Sequence, residues 1–130
     1  MQVKDLHDMD DDGLIAFTQK DNTGLIRGLA IAELARRAVT NHALLEAAYA
    51  AIRGEKRIGF HAGFPAGWLG ADEIYLSQDA AAIRGLLHEM DSWEDTEQED
   101  LVRHWAGKEG LAALTSKLRT VYGWEPRYRN

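Results

Sequence analysis

The sequence predicts a mainly α protein: a compact bundle of five or six short helices, with a small two-stranded ribbon or an irregular glycine-aromatic loop inserted in the middle. Three observations point there. Apolar residues recur at spacings of three and four over most of the chain, the period of one helix face. Alanine is abundant in LIRGLAIAELARRAV and NHALLEAAYAAIRG, which suits close helix packing. Helix punctuation also recurs, with Asp, Asn or Ser before the periodic stretches and glycine after them. At 130 residues without cysteine, residues 1–130 are expected to form a single globular domain around one core, with no disulfide or thiolate chemistry.

Taken in order, Asp10, Asp11 and Asp12 favour a helix start, and LIAFTQ supplies Leu14, Ile15 and Phe17 for the buried side of a helix near 11–20. DNTG at 21–24 is turn chemistry, with Asn22 or Thr23 as the cap of the next helix. In that helix, apolar residues cover most of the circumference and leave Arg27, Glu33, Arg36 and Arg37 as polar exits, so it is expected to be central. Asn41 caps a third stretch ending at Gly54. Ser77 is expected to cap a helix through Met90, and Thr96 with Glu99 matches a capping box ahead of a helix over 97–106. A last helix carries Leu111, Leu114, Leu118 and Val121, and Gly123 ends it. The expected core is Leu25, Leu29, Leu34, Leu44, Ala48, Ile52, Ile83, Leu87, Leu114 and Leu118.

The middle breaks this pattern. Residues 59–70 read GFHAGFPAGWLG, three tetrads that each begin with glycine and an aromatic ring. Repeated glycine costs a helix about 1 kcal/mol per residue against alanine, and Pro65 removes a donor, so the tetrads are read as loop or turn. EIYLS at 73–77, β-branched and aromatic, pairs in this reading with KRIGFH at 56–61 to make the ribbon.

Charge narrows the function. Net charge is −6, and residues 72–100 carry ten acids against one arginine. Such a chain lacks the positive field that phosphate backbones require, which disfavours direct nucleic-acid binding and favours a protein partner with a basic surface. The start of the chain is polar and no apolar run has membrane-spanning length, so a cytoplasmic, membrane-free protein is expected. No phosphate-cradling, dinucleotide, nucleophile-elbow or zinc motif occurs, and the histidines have no metal-ligand spacing, so no cofactor or metal is called for.

Two stretches remain as candidate sites. The tetrads offer Phe60, Phe64 and Trp68 as outward apolar anchors. EMDSWEDTEQED at 89–100 holds seven acids around Trp93, and Trp93, Glu94, Asp95, Glu97 and Glu99 are read as an acidic rim with an aromatic centre. Together they suggest a non-catalytic protein-binding module. One version is a small acidic inhibitor of a basic or nucleic-acid-binding protein, presenting carboxylates where phosphates would sit. The alternative is a small enzyme or ligand-binding protein with a pocket under the loop, where His61 and Tyr75 are the polar groups. A homo-oligomer with the rings at a two-fold contact is a third reading.

Overall fold

The computed structural model describes residues 3–19, 24–54 and 65–127. Among them the regular structure is entirely helical: α1 Val3–Asp8, α2 Asp11–Thr18, α3 Gly24–Thr40, a 3₁₀ turn His42–Leu44, α4 Leu45–Gly54, α5 Gly67–Ser77, α6 Ala80–Met90, α7 Asp95–Ala106 and α8 Leu111–Tyr122. The chain divides into two compact units, Met1–Ile83 and Arg84–Asn130, and the division falls within α6.

In the first unit α3 is the central element. Residues 30 to 35 are all buried, so the helix has neighbours on most sides, as its apolar circumference predicts. One face packs on Leu6 of α1, Leu14 and Phe17 of α2, and Ala48 of α4, through Ala30, Leu34 and Ala38. Another receives α5, and this approach depends on two glycines. A Cβ added at Gly70 would stand 2.5 Å from Ile31 Cγ2 and 3.2 Å from the Ile31 carbonyl oxygen. A Cβ at Gly28 would stand 2.6 Å from Leu69 Cδ1. Helix axes come this close only where side chains are removed.

The predicted ribbon is therefore corrected. EIYLS lies inside α5, and no strand occurs among the described residues; KRIGFH falls outside them. The third tetrad, GWLG, is the first turn of α5 rather than a loop. Glycine's propensity cost is outweighed here because burying Trp68, Ala71 and Ile74 against α3 requires Gly70 to be small. The helix α1 is also additional to the expected set. Of the expected core, Leu34, Ala48, Ile52, Ile83, Leu87, Leu114 and Leu118 are buried, while Leu29 and Leu44 are partly covered.

A polar cluster ties the first unit together around Glu33, which is buried on α3. Its oxygens accept from Arg36 Nη1 at 2.7 Å and Arg37 Nε at 2.9 Å, and His7 Nδ1 lies 3.5 Å away. Arg36 continues to Glu73 of α5 at 2.9 Å. Arg37 continues to Asp11 of α2 at 3.1 Å and donates to the carbonyls of Leu6 and His7 at the end of α1. Burial alone pushes the Glu33 carboxyl up, but hydrogen bonds from Arg37 and His7 and the nearby guanidinium charges outweigh it, leaving the group below its ordinary value. Tyr49 of α4 adds a buried bond, its hydroxyl donating to the Ala82 carbonyl at 2.7 Å. Burial, then the carboxylates of Glu46 and Asp79, push that hydroxyl up to about 12, so it remains a neutral donor at neutral pH.

In the second unit α7 packs on α8, and Leu86, Leu87, Met90, Trp93, Leu101, Val102, Leu114, Leu118 and Trp124 are buried. Gly123 has φ 67°, the left-handed stop its position predicts. It turns the chain back so that Trp124 N donates to the Leu118 carbonyl at 3.2 Å.

Two outcomes check these packings. Gly70→Ala, facing a backbone oxygen and a β-branched methyl, is expected to lower unfolding free energy by about 1–3 kcal/mol. Gly28→Ala crowds closely only the end of a leucine that can rotate, its distances of 3.4 and 3.5 Å to Ala66 O and Cβ being ordinary contacts, and is expected to cost less; urea unfolding of both variants ranks them. Glu33→Gln is expected to cost about 2 kcal/mol at neutral pH, the scale of hydrogen bonds to charged groups. A carboxyl lowered in the folded state adds stability above its unfolded value, about 4.3 for glutamate, and that stability is lost as pH falls through the folded value. Below about pH 4.3 the wild-type unfolding midpoint should thus fall more steeply than that of Glu33→Gln.

Candidate functional site

The acidic stretch at 89–100 is folded into a defined turn between α6 and α7. Three successive short bonds close the end of α6: Asp91 N to His88 O, Ser92 N to Glu89 O and Trp93 N to Met90 O, at 3.1–3.2 Å. The turn leads into α7, whose N-cap is Glu94 and whose capping box is Glu94 with Glu97. Glu94 N donates to Glu97 Oε1 at 3.0 Å. The box expected at Thr96 and Glu99 is thus displaced by two residues toward the start of the chain. Carboxylates at both positions 94 and 97 can serve the free N–H groups as well as a threonine can, and they also complement the positive end of the helix. An analogous shift occurs at α6, where Asp79 rather than Ser77 accepts from Ala82 N, at 3.0 Å, and Ser77 Oγ accepts from Asp79 N.

Beneath the turn lies Gln98, fully buried. Its Nε2 donates to the Met90 carbonyl at 3.1 Å, and its Oε1 accepts from Arg127 N at 2.7 Å. The segment after α8 therefore closes over the turn. Trp124 Nε1 donates to Asp91 Oδ1 at 2.9 Å. The Arg127 guanidinium donates to the carbonyl oxygens of Asp91 and Trp93, and its Nε stands 3.3 Å from Asp95 Oδ1.

The acids of this stretch accordingly separate by environment. Glu97 is buried within the capping box. Glu99 is partly covered and pairs with Arg103 at 3.1 Å, the i,i+4 bridge its spacing predicts. Glu94 and Asp95 are exposed, as is Asp91. Trp93, read as the aromatic centre of an acidic rim, has 2% of its surface exposed. Its indole Nε1 donates to Glu89 Oε2 at 3.3 Å, so the ring forms the floor of the turn.

No family model, curated protein or solved structure matches the chain.

The tetrads divide. Phe60, His61 and Phe64 lie outside the described residues. Trp68 is 7% exposed at the start of α5, turned inward where outward exposure was expected, because the helix it opens packs against α3. Tyr75 is partly buried on the same helix. The cavities of the first unit include one of about 270 Å³, lined by Thr18, Gln19, Arg27, Ala47, Ala50, Ala51 and Gly54. Another, of about 260 Å³, is lined by Arg36, Val39, Thr40, Glu73, Leu76 and Ser77. Tyr75 lines neither of these. The basic pair Arg36–Arg37 is committed to Glu33, Glu73 and Asp11. Among the described residues no group of three or more His, Asp or Glu side chains has metal-holding geometry, and no helix is long and apolar enough to cross a membrane.

Trp124 and Arg127 belong to WEPRYRN, a basic and aromatic stretch whose composition does not assign it to this site, and Gln98 carries no pattern of its own. The available signal was Gly123, whose stop reverses the chain just before them.

The register of the cap is directly testable. Glu97→Ala is expected to destabilise the protein by about 1 kcal/mol, the usual worth of a cap, while Thr96→Ala leaves the thermal midpoint near that of the wild type. The opposite ranking would restore the box at 96 and 99.

Proposed function

We propose that the protein is a non-catalytic binding module that engages a basic surface on a protein partner through the turn between α6 and α7. The observation that carries this reading is the exposure of Asp91, Glu94 and Asp95 together on one hydrogen-bonded turn. Two further properties support it. Residues 72–100 hold ten acids and one arginine, a local imbalance that accelerates encounter with a positive surface and repels a phosphate backbone. The turn is pinned from below by Gln98 and Trp93, so the carboxylates need little further ordering on binding, which is the main cost such contacts incur.

In this reading Trp93 and Trp68 hold the scaffold and do not touch the partner. Inhibition of a nucleic-acid-binding protein is one form the engagement takes, with carboxylates standing where phosphates would lie.

A lysine- and arginine-rich peptide serves as a defined probe, its binding followed by tryptophan fluorescence over a range of salt. Affinity is expected to fall as salt rises. Glu94→Gln combined with Asp95→Asn, which keeps hydrogen-bonding capacity and removes charge, is expected to weaken binding about tenfold at low salt, roughly 1.4 kcal/mol. Unchanged affinity and an unchanged salt slope would remove the acidic turn from the reading.

A further inference from the structure

The turn does more than display negative charge. It holds a guanidinium, and the way it does so specifies what kind of basic group the site accepts. Arg127 spans two backbone carbonyls, those of Asp91 and Trp93, with separate nitrogens of its planar group, while its Nε faces the Asp95 carboxylate. A flat fork with several donors at fixed angles fits this arrangement; a lysine ammonium is a compact point charge without that fixed planar geometry. The carbonyls lie just beyond the end of α6, where the helix dipole favours a cation. The backbone of the same residue is held as well, by the buried Gln98 side chain.

Within this segment the two aromatic and basic positions differ. Trp124 is buried and belongs to the packing. Arg127 is exposed and held by polar contacts alone among those described. Water and a competing guanidinium can therefore replace its side chain without opening the apolar interior.

We propose that the turn formed by residues 91–95 is an arginine receptor, occupied in cis by Arg127, and that a partner's arginine in an extended basic segment takes its place on binding. This rests on the binding-module reading above and names the group recognised. Arg127 then acts as a built-in competitor: the apparent affinity for an arginine-bearing partner is the intrinsic affinity reduced by the fraction of molecules in which the receptor is open. Tethering makes that competition strong, because a residue of the same chain is present at high effective concentration.

Two peptides of equal length and charge test this, one with arginine and one with lysine at every basic position. Arg127→Ala is expected to bind the arginine peptide about tenfold more tightly than wild type does, and to prefer it over the lysine peptide. Circular dichroism and the unfolding midpoint establish that the variant is folded. An Arg127→Ala protein that binds the arginine peptide no better than wild type, or binds the two peptides equally, overturns the receptor while leaving the acidic-surface reading in place. If neither wild type nor variant binds either peptide, both proposals fall. The unaltered protein gives a second measurement. On titration with the arginine peptide, the Arg127 Nε–H and Trp124 indole N–H resonances are expected to shift together as the guanidinium leaves the turn; saturation without a shift at Arg127 overturns the proposal.

Discussion

The first unit depends on how closely α5 can approach α3. At Gly70 the two helices are separated by less than the width of a methyl group, and Gly28 relieves the same crowding further along the crossing. Once that approach is made, Trp68, Ala71 and Ile74 are covered, and Glu73 comes within reach of Arg36. From Arg36 the polar connections pass through Glu33 to Arg37, and from there to α1 and α2. An apolar contact of high precision thus fixes the geometry in which a shared carboxylate can serve several cations. Buried charge is tolerated at Glu33 because each oxygen has a guanidinium partner.

The second unit shows the same division of labour among residues of one charge. Seven acids in twelve positions look uniform on the page, yet Glu94 and Glu97 form the box at a helix start, Asp91 receives an indole, Asp95 faces the Arg127 guanidinium and Glu99 pairs with Arg103, with Asp91, Glu94 and Asp95 exposed. The exposed members carry the negative charge of the turn's surface. Their preorganisation comes from uncharged or aromatic groups beneath them, chiefly Gln98 and Trp93. A buried glutamine with both ends of its amide engaged is an effective clamp, since leaving either end unpaired in a dry setting is costly.

Much of the helical layout could be read from the residues alone. The repeating apolar positions placed α2, α3, α4, α6 and α8, the acidic cap chemistry placed α7, and Asn41 and Gly123 marked boundaries that the structure keeps. What could not be read has a common cause. α5 is built from glycine, aromatic and β-branched residues whose local preferences point away from a helix, and it is helical because of contacts made more than thirty residues away in sequence. Local propensity is a weak argument against a well-packed partner. The inward direction of Trp68 and Trp93 was likewise invisible, since an aromatic ring beside glycine or acid is equally suited to either side of a surface. The cap of α7 moved by two residues because several side chains in WEDTEQE were chemically competent for it. At the candidate site, the exposed carboxylates were legible as charge, whereas Arg127 is distant in sequence and Gln98, though within the acidic stretch, has no local pattern that marks it as buried.

The attachment of α1 has a consequence for how the protein opens. Among its described side chains only Leu6 is buried, and its final carbonyls are held by the guanidinium of Arg37. An element fastened chiefly by one apolar residue and polar contacts at its end, His7 beside Glu33 among them, has little apolar packing of its own to resist fraying. Its amide protons will trade with solvent deuterium well before those of α3, and breathing at this edge will come and go without disturbing the close crossing behind it.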